Sequence, residues 1–470
     1  MAQNHMLGNG SNDFAVPLLE RDVCSANNTS EEPQGKHLWR RAEAGKWMPV
    51  LFVGTCLLYC ARMTMPVCVV AMAAAFRWNK IDSGLALGGF FWGYSCTQIL
   101  GGHASDKIGG ERVLLFSAIS WAVVTAGTPA LAHFGSRTLA LMTMARVFMG
   151  ILQGVFFPSL ASLIAQRAPE GEKSFLNSIM QSGSSLGILL AGLLGSVLLD
   201  RYGWESVFYA VGLLSGFWAL VVWQCFLKGK AYPKQKEGRD DSQSRSFACT
   251  HLLSLFKKPC VWAMVLAHLC TCGTSYTLLS WMPTYFHEEY PHATMWVYNV
   301  FPWAAAIPAA LCGGYLSDSL ISQGYSVAFV RKSMQFIAMG VSSAFVLPLS
   351  VKVSFPIAVI CISAAMVALS FTSCGASVNV QDLTPSRAGA LFGFMNMLGA
   401  FTVDLDCTRE PLRHAVNAKR GIKRGSLHAD GWTNQSSTFE GTYIHFCMYI
   451  RRIFAYEDIL YELAQKLFAI

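Results

Sequence analysis

Charged residues are scarce in this chain. Asp, Glu, Lys and Arg make up only 14% of its 470 residues, whereas 53% are hydrophobic, and the mean hydropathy is +0.38. Such a composition excludes a soluble protein built from ordinary domains. The sequence therefore predicts an all-α polytopic membrane protein.

Three further absences narrow the class. There is no G-x-x-x-x-G-K-[ST] segment, so a pump or kinase that hydrolyses ATP is excluded and we expect no enzyme. The polar residues 1–46 lack the apolar core of a cleavable signal peptide, so the first membrane span should direct insertion. Most of the 15 cysteines lie inside apolar runs, where free Cys acts as a small apolar side chain, so no disulfide framework is expected.

Apolar runs long enough to cross about 30 Å of hydrocarbon as helices fall into two sets. The first set lies near residues 48–75, 84–102, 113–132, 139–165, 177–199 and 206–227, and the second near 260–285, 295–317, 333–350 and 354–378. An eleventh run starts at Ala388 and stops near Val403, which is short for a span. The count predicts two bundles, the second of them truncated, with 10 to 11 spans in all.

The predicted domains follow from these runs. They are a cytosolic polar N-terminus at 1–46, a six-helix bundle at 47–227, a flexible cytosolic linker at 228–258, a truncated second bundle at 259–403 and a divergent non-membrane tail at 404–470. With the N-terminus in the cytosol, about 20 Lys and Arg lie on the cytosolic side and about five on the other, and this asymmetry fixes the orientation. Because the basic residues are spread over alternate loops, the net charge of +8 does not indicate nucleic-acid binding.

A short polar motif recurs at equivalent places in the two halves. Gly102, Asp106, Lys107, Gly109 and Arg112 follow the second run, and Gly314 and Asp318 follow the eighth, 212 residues downstream. A small residue four positions before a carboxylate lets two helices approach closely while the carboxylate meets a neighbouring helix N-terminus or a basic side chain. One copy alone is equally well explained as a solvated helix end, but two equivalent copies favour a gate that forms and breaks.

Charge inside the runs is cationic only. Well within the spans lie Arg62, Arg146 and His268, with no Asp or Glu. Intramembrane charge is costly, so a retained arginine usually faces a cavity. Two bidentate guanidinium groups without resident carboxylates predict a site for phosphate or carboxylate oxygens. The structural alternative for each is a cation that is held by backbone carbonyls or snorkels to an interface.

Other polar and aromatic residues are candidates to complete this site. Gln153 follows Arg146 by seven residues and so shares its helix face. Tyr94 belongs to an aromatic group, with Phe90, Phe91 and Trp92, that offers either a stacking surface for a base or ordinary packing. His268 is either a satisfied core histidine or a proton relay. Because no buried carboxylate is present, transport driven by membrane potential is the simpler prediction.

Several segments together resemble a known family. GHASDKIGGER, residues 102–112, resembles the loop motif of the major facilitator superfamily, whose fold is two six-helix halves. CARMTMPVCVVAM, FFWGYSCTQILGGH, GWESVFY, LLSWMPTYF and NVQDLTPSRAGALFGFMN resemble the organic anion transporters of solute carrier family 17. GTCLLYCAR, PWAAAIPA and VRKSMQ are most similar to its nucleotide-transporting members, and the likeness covers about residues 45–400.

The resemblance implies uptake of ATP, ADP and GTP into secretory vesicles or lysosomes. It implies a lumen-positive potential made by a vesicular proton pump as the driving force, chloride as an activator and no other cofactor. Arg62 and Arg146 fall where the family has substrate-linked arginines. Leu87, Gln153 and Thr271 stand where glutamate-transporting members carry a histidine, a glutamate and, nearby, an arginine, so a glutamate substrate is disfavoured.

The resemblance ends after Ala400, and no later run has the length of a span. Two alternatives therefore stay open. One is a transport-incompetent truncated isoform, and the other is a carrier of sialate, glutamate or phosphate.

Overall fold

The computed structural model describes residues 39, 41–133, 137–224, 256–293, 295–351 and 353–401. Within these ranges the long elements are helices, as the hydropathy predicts. Nearly all of segment 1–46, most of linker 228–258 and the whole tail 404–470 lie outside the described residues, so the boundaries assigned to those domains stay predictions.

The first half makes six crossings from seven helices. These are α1 (Arg41–Phe76), α2 (Lys80–Ile108), α3 (Gly110–Gly127), α4 (Thr138–Gly154), α5 (Phe156–Arg167), α6 (Lys173–Tyr202) and α7 (Trp204–Val222). Helices α4 and α5 are two parts of one crossing that is interrupted at Val155. α2 begins with a reciprocal cap, because the Asn79 side chain accepts from the Asp82 amide and the Asp82 carboxylate accepts from the Asn79 amide.

The second half follows the same plan in the described residues. Its helices are α8 (Pro259–Glu289), α9 (Met295–Ser322), α10 (Val327–Phe336), α11 (Ser342–Val346), α12 (Phe355–Leu369), α13 (Ala376–Leu383) and α14 (388–401). A π-helical turn, Ile337–Val341, joins α10 to α11. A 3-10 turn, Ser370–Cys374, and Gly375 separate α12 from α13, so this crossing is interrupted like the one at Val155.

Eight helical segments among the described residues are long and apolar enough to cross a membrane. They are Glu43–Phe76, Gly110–His133, Thr138–Arg167, Lys173–Tyr202, Trp204–Val222, Val300–Ser322, Val327–Leu349 and Phe355–Leu383. Helices α2 and α8, with 29 and 31 residues, are as long as many of these segments, but neither is among the eight. Both were predicted as spans, and both contribute polar and aromatic side chains to the candidate site described below, which lowers their hydropathy.

Consecutive crossings run in opposite directions, so α7 ends and α8 begins on one face. This face, called the linker face below, contains the start of α1, the end of α2 and the start of α6. Within the first half α2 packs along α4 and α1 along α6, and the two halves meet chiefly where α6 packs against α9. The candidate site lies between α1, α2 and α4.

Candidate functional site

Arg62, midway along α1, is enclosed by aromatic rings. Its Cζ lies 4.8 Å from the ring centroid of each of three residues, Tyr59, Phe90 and Tyr94. The side chain is only 7% exposed, so it is directed into the bundle and away from lipid. Rings held this close stabilise the guanidinium by cation–π attraction while leaving its N–H groups available for other partners.

Gln153 fixes the orientation of that guanidinium. Its Oε1 accepts a hydrogen bond from Arg62 Nε at 3.3 Å, and its Nε2 donates to the carbonyl of Leu58, also at 3.3 Å. Gln153 is fully buried at the end of α4. The amide therefore ties the first crossing to the fourth without neutralising the positive charge.

Arg146 lies two turns earlier on α4 and shares a neighbour with Arg62. Its Cζ is 5.0 Å from the ring centroid of Phe90, and its side chain is 5% exposed. Both members of the predicted pair of cations therefore contact the same ring, Phe90. Neither arginine forms an ion pair within the described part of the chain.

A close helix crossing makes this arrangement possible. A Cβ added at Gly150 of α4 would overlap the carbonyl oxygen of Phe90, and one added at Gly93 of α2 would overlap that of Val147. Because both positions are glycine, the α2 and α4 backbones come into direct contact. Phe90 is consequently held where both arginines contact its ring.

The site has hydrogen-bond donors without acceptors. Arg62 Nη2, Arg146 Nε, Gln98 Nε2 and His268 Nδ1 are buried and have no hydrogen-bond partner among the described residues. Buried polar atoms are nearly always paired, and an unpaired charge in a dry interior is especially costly. The two orphaned arginine nitrogens indicate a place for an oxygen-rich anionic ligand, and the two on Gln98 and His268 are neutral. In that same part of the chain, no three His, Cys, Asp or Glu side chains come together as a metal site would need.

The four aromatic side chains predicted on α2 point in different directions. Phe90 and Tyr94 are stacked with centroids 5.4 Å apart, and Phe91 packs edge-on against Tyr276 of α8 at 6.1 Å. Trp92 is exposed. Only Phe90 and Tyr94 face the arginines, because four residues in a row on a helix point in different directions.

Tyr94 also connects the two halves. Its hydroxyl accepts from Asn396 Nδ2 of α14 at 2.8 Å, and the same amide donates to Gln98 Oε1 at 3.2 Å. The network is neutral, so it adds polarity to the centre of the bundle without adding charge.

The first copy of the polar motif contacts the other half at the linker face. Asp106 accepts hydrogen bonds from the backbone amides of Gly389 and Ala390, at 3.1 and 3.0 Å, at the start of α14. A Cβ added at Gly102 would overlap the carbonyl oxygen of Gly389. The small residue and the carboxylate thus act together, as the spacing predicts, to hold one helix N-terminus.

The second copy makes the reciprocal contact. Asp318 of α9 accepts from the amides of Ser174 and Phe175 at the start of α6, at 3.2 and 2.8 Å. Gly314 approaches α6 so closely that a Cβ there would lie 2.9 Å from Phe175 Cα. Each half therefore supplies one carboxylate and one helix N-terminus to this contact.

The remaining motif residues lie around the first contact. Lys107 and Arg112 are exposed at the linker face. Gly109 has a φ of 95°, a conformation that favours glycine, and its amide donates to the Ser105 carbonyl, so it ends α2 and permits the turn into α3.

Lys173 and Arg331, which sequence analysis counts among the basic residues of the loops, are buried between the halves. Arg331 Nε donates to Asp382 Oδ2 at 2.9 Å, and Lys173 Nζ lies 3.7 Å from Asp382 Oδ1. Arg331 also donates through Nη1 to the hydroxyl of Ser174 at 2.6 Å. The sequence signal for this cluster was Asp382, the carboxylate in the segment NVQDLTPSR. It lies one residue before the end of α13, and sequence reasoning had assigned it no partner.

The amino-acid sequence is similar to those of known transporters. Residues 51–403 match the family model described as Major Facilitator Superfamily. The mouse protein named "Voltage-gated purine nucleotide uniporter SLC17A9" is 48% identical over 366 residues, covering 77% of this chain and 81% of the mouse protein. Its human counterpart is 47% identical over 370 residues, covering 78% and 84%. "Sodium-dependent phosphate transport protein 1, chloroplastic" of Arabidopsis thaliana is 33% identical, covering 83% and 78%.

Solved structures agree on the fold. The transporter FucP in its outward conformation superimposes with a TM-score of 0.58 at 17% identity, covering 80% of this chain and 92% of FucP. The proton:xylose symporter XylE gives a TM-score of 0.59 at 14% identity, covering 81% and 91%. At these identities the likeness extends to the fold alone.

Proposed function

Because this chain belongs to the major facilitator superfamily and, within it, to solute carrier family 17, we propose that it carries purine nucleotides such as ATP, ADP and GTP across a membrane by uniport. The family assignment confirms the resemblance noted in the sequence. Its matched relatives are transporters, so the chain is a multi-pass membrane carrier and not an enzyme.

The observation that carries the proposal is that each of two buried guanidinium groups keeps one nitrogen without a hydrogen-bond partner. Arg62 Nη2 and Arg146 Nε have no hydrogen-bond partner in the described part of the chain, and neither arginine has an acidic partner there. A phosphate chain offers several acceptor oxygens and more than one negative charge, so it satisfies both cations at once. A single carboxylate leaves one of them unpaired.

Membrane potential is the proposed driving force. Moving one elementary charge through 100 mV is worth about 2.3 kcal/mol. A nucleotide with several negative charges is therefore concentrated strongly on the positive side. The compartments that fit are secretory vesicles or lysosomes whose lumen a proton pump makes positive, with chloride as an activator.

The polar motifs fit alternating access. With the N-terminus in the cytosol, the linker face is the cytosolic face, and the described conformation is closed there by Asp106 and Asp318. Breaking both contacts would open the arginine site toward the cytosol. Nucleotide binding from that side and release to the lumen then require the contacts to break and re-form in each cycle.

The test is uptake of radiolabelled ATP into proteoliposomes with an imposed inside-positive potential. The native chain is expected to accumulate ATP only with the potential applied, and Arg146→Ala is expected to abolish accumulation. Arg201→Ala removes an exposed arginine at the end of α6 and serves as the matched control. Equal uptake by the native chain and Arg146→Ala contradicts the proposed site.

Two other outcomes identify the alternatives. No ATP uptake by the native chain, together with uptake of inorganic phosphate, favours an anion carrier like the Arabidopsis relative that is 33% identical. No uptake of ATP, phosphate, sialate or glutamate favours a transport-incompetent isoform.

A further inference from the structure

A second polar cluster lies beside the arginine site, on the side of the second half. On α8, His268, Cys272 and Tyr276 are spaced by four residues and so share one helix face. His268 is 6% exposed, and its Nε2 lies 3.4 Å from Cys272 Sγ. Its Nδ1 has no hydrogen-bond partner among the described residues.

Gln98 on α2 also has a buried nitrogen without a hydrogen-bond partner. Gln98 is fully buried, and its Oε1 accepts from Asn396 Nδ2 at 3.2 Å. Its Nε2, which is left to donate, has no partner in the described part of the chain. The Asn396 side chain is within hydrogen-bonding reach of the His268 imidazole and donates through Nδ2 to Tyr94 and Gln98, so one amide connects His268 with Gln98.

This cluster is contiguous with the arginines but differs from them in charge. Tyr94 joins the two, because its ring lies 4.8 Å from Arg62 Cζ while its hydroxyl accepts from Asn396. Around the cluster the described contacts are neutral or aromatic, with the Phe392 ring 5.8 Å from that of His268. Neutral donors between rings suit a heteroaromatic base and a sugar hydroxyl far better than they suit a phosphate.

We propose that His268 and Gln98 bind the nucleoside end of the substrate while Arg62 and Arg146 hold its phosphate chain. The inference rests on the proposed function and assigns to the second half a part in substrate specificity. The purine supplies ring nitrogens and the ribose supplies hydroxyl oxygens as partners for the two orphaned nitrogens. An anion without a nucleoside occupies the arginine site and leaves this cluster unused.

The experiment compares two competitors of labelled ATP uptake in the same proteoliposomes. Unlabelled ATP contacts both clusters, whereas inorganic tripolyphosphate has the phosphate chain alone. His268→Phe keeps a ring against Phe392 but removes both nitrogens, and Gln98→Leu removes the amide. His268→Gln restores a hydrogen-bonding group, and His133→Phe changes an exposed histidine at the end of a 3-10 turn far from the site.

Half-inhibition by ATP is expected to require roughly 2- to 10-fold more competitor in His268→Phe and Gln98→Leu, the range for one lost neutral hydrogen bond. Half-inhibition by tripolyphosphate should stay unchanged in both. His268→Gln should recover part of the ATP affinity, and His133→Phe should match the native chain. For any variant that does not transport, ligand-induced shifts in Tm of the purified full chain give the same comparison.

The nucleoside assignment is overturned if inhibition by ATP and inhibition by tripolyphosphate weaken equally in the variants. It is also overturned if the ATP concentration for half-inhibition is unchanged in both His268→Phe and Gln98→Leu. Failure of the native chain to take up ATP is a different result, because it overturns the proposed function itself. The two failures are therefore distinguished by the native chain alone.

Discussion

The amide of Gln153 holds the guanidinium of Arg62 through an Nε–H···Oε1 hydrogen bond of 3.3 Å. Since the amide's other end is bonded to the backbone of α1 at Leu58, it holds the arginine side chain inside the bundle without neutralising its charge. A neutral partner thus orients a cation that remains free to bind an anion.

Gln153→Glu should inactivate the carrier. A carboxylate in place of the amide pairs with Arg62 and lowers the formal charge of the arginine pair from +2 to +1, which weakens its attraction for the substrate. We expect the rate of ATP uptake at a fixed potential to fall at least about 10-fold, which corresponds to ~1.4 kcal/mol. Gln166→Glu on α5 introduces the same charge change outside the site and should have little effect; native-like uptake by Gln153→Glu would contradict the electrostatic argument.

Tyr94→Phe separates the ring of Tyr94 from its hydroxyl. The ring still covers Arg62, but Asn396 loses its 2.8 Å acceptor. One neutral hydrogen bond is worth about 0.5–1.5 kcal/mol, so the KM for ATP should rise about 2- to 10-fold. Tyr94→Leu should raise it further because the cation–π contact is also lost. Tyr209→Phe, on the exposed Tyr209 of α7, is the control, and an unchanged KM in Tyr94→Leu would show that the ring has no part in binding.

Gly102→Leu should block closure of the linker face. The new side chain would overlap Gly389, so α2 and α14 could not approach, and net uptake should fall to background while the purified protein still binds ATP. Binding is measured as an ATP-induced rise in Tm. Gly84→Leu on the same helix points into open space and should transport normally; uptake by Gly102→Leu at the native rate would mean that this contact is not needed for transport.

Ser178→Cys should allow the closed conformation to be locked. Ser178 Oγ lies 3.2 Å from the sulfur of the native Cys374, so a cysteine there places two thiols within reach across the halves. Oxidation should stop uptake, and a reductant should restore it. With a protease site inserted near the middle of linker 228–258, the cleaved halves should stay together on a non-reducing gel only after oxidation.

The exposed Ser196 of α6 supplies the matched control for this cross-link. Oxidised Ser196→Cys should lose no activity and its cleaved halves should separate. Full uptake by the cross-linked Ser178→Cys protein would show that the linker face need not open.

The sequence was sufficient to predict the helices and to identify the two buried arginines, whereas their role in binding an anion stays a prediction. Long apolar runs specify helices because the backbone must satisfy its own hydrogen bonds in lipid. Arg62 and Arg146 were identified because charge is rare in such runs. The spacing of Gly102 to Asp106, and of Gly314 to Asp318, likewise predicted carboxylates that meet helix N-termini.

Contacts between distant helices were beyond such reasoning. Gln153 was expected to share a face with Arg146, but its bond to Arg62 depends on how α1 crosses α4, which no local pattern specifies. Lys173 and Arg331 were counted as loop charges because they follow the ends of apolar runs; the packing of one half on the other buries them. The interruption at Val155 was also missed, since hydropathy stays high through it.

The contacts of Asp106 and Asp318 use different residues. Each carboxylate accepts from two backbone amides and also interacts with a serine side chain, Ser162 for Asp106 and Ser174 for Asp318. Because the two contacts share no residue, a substitution at one aspartate leaves the hydrogen bonds of the other in place, and the two halves keep a second point of attachment.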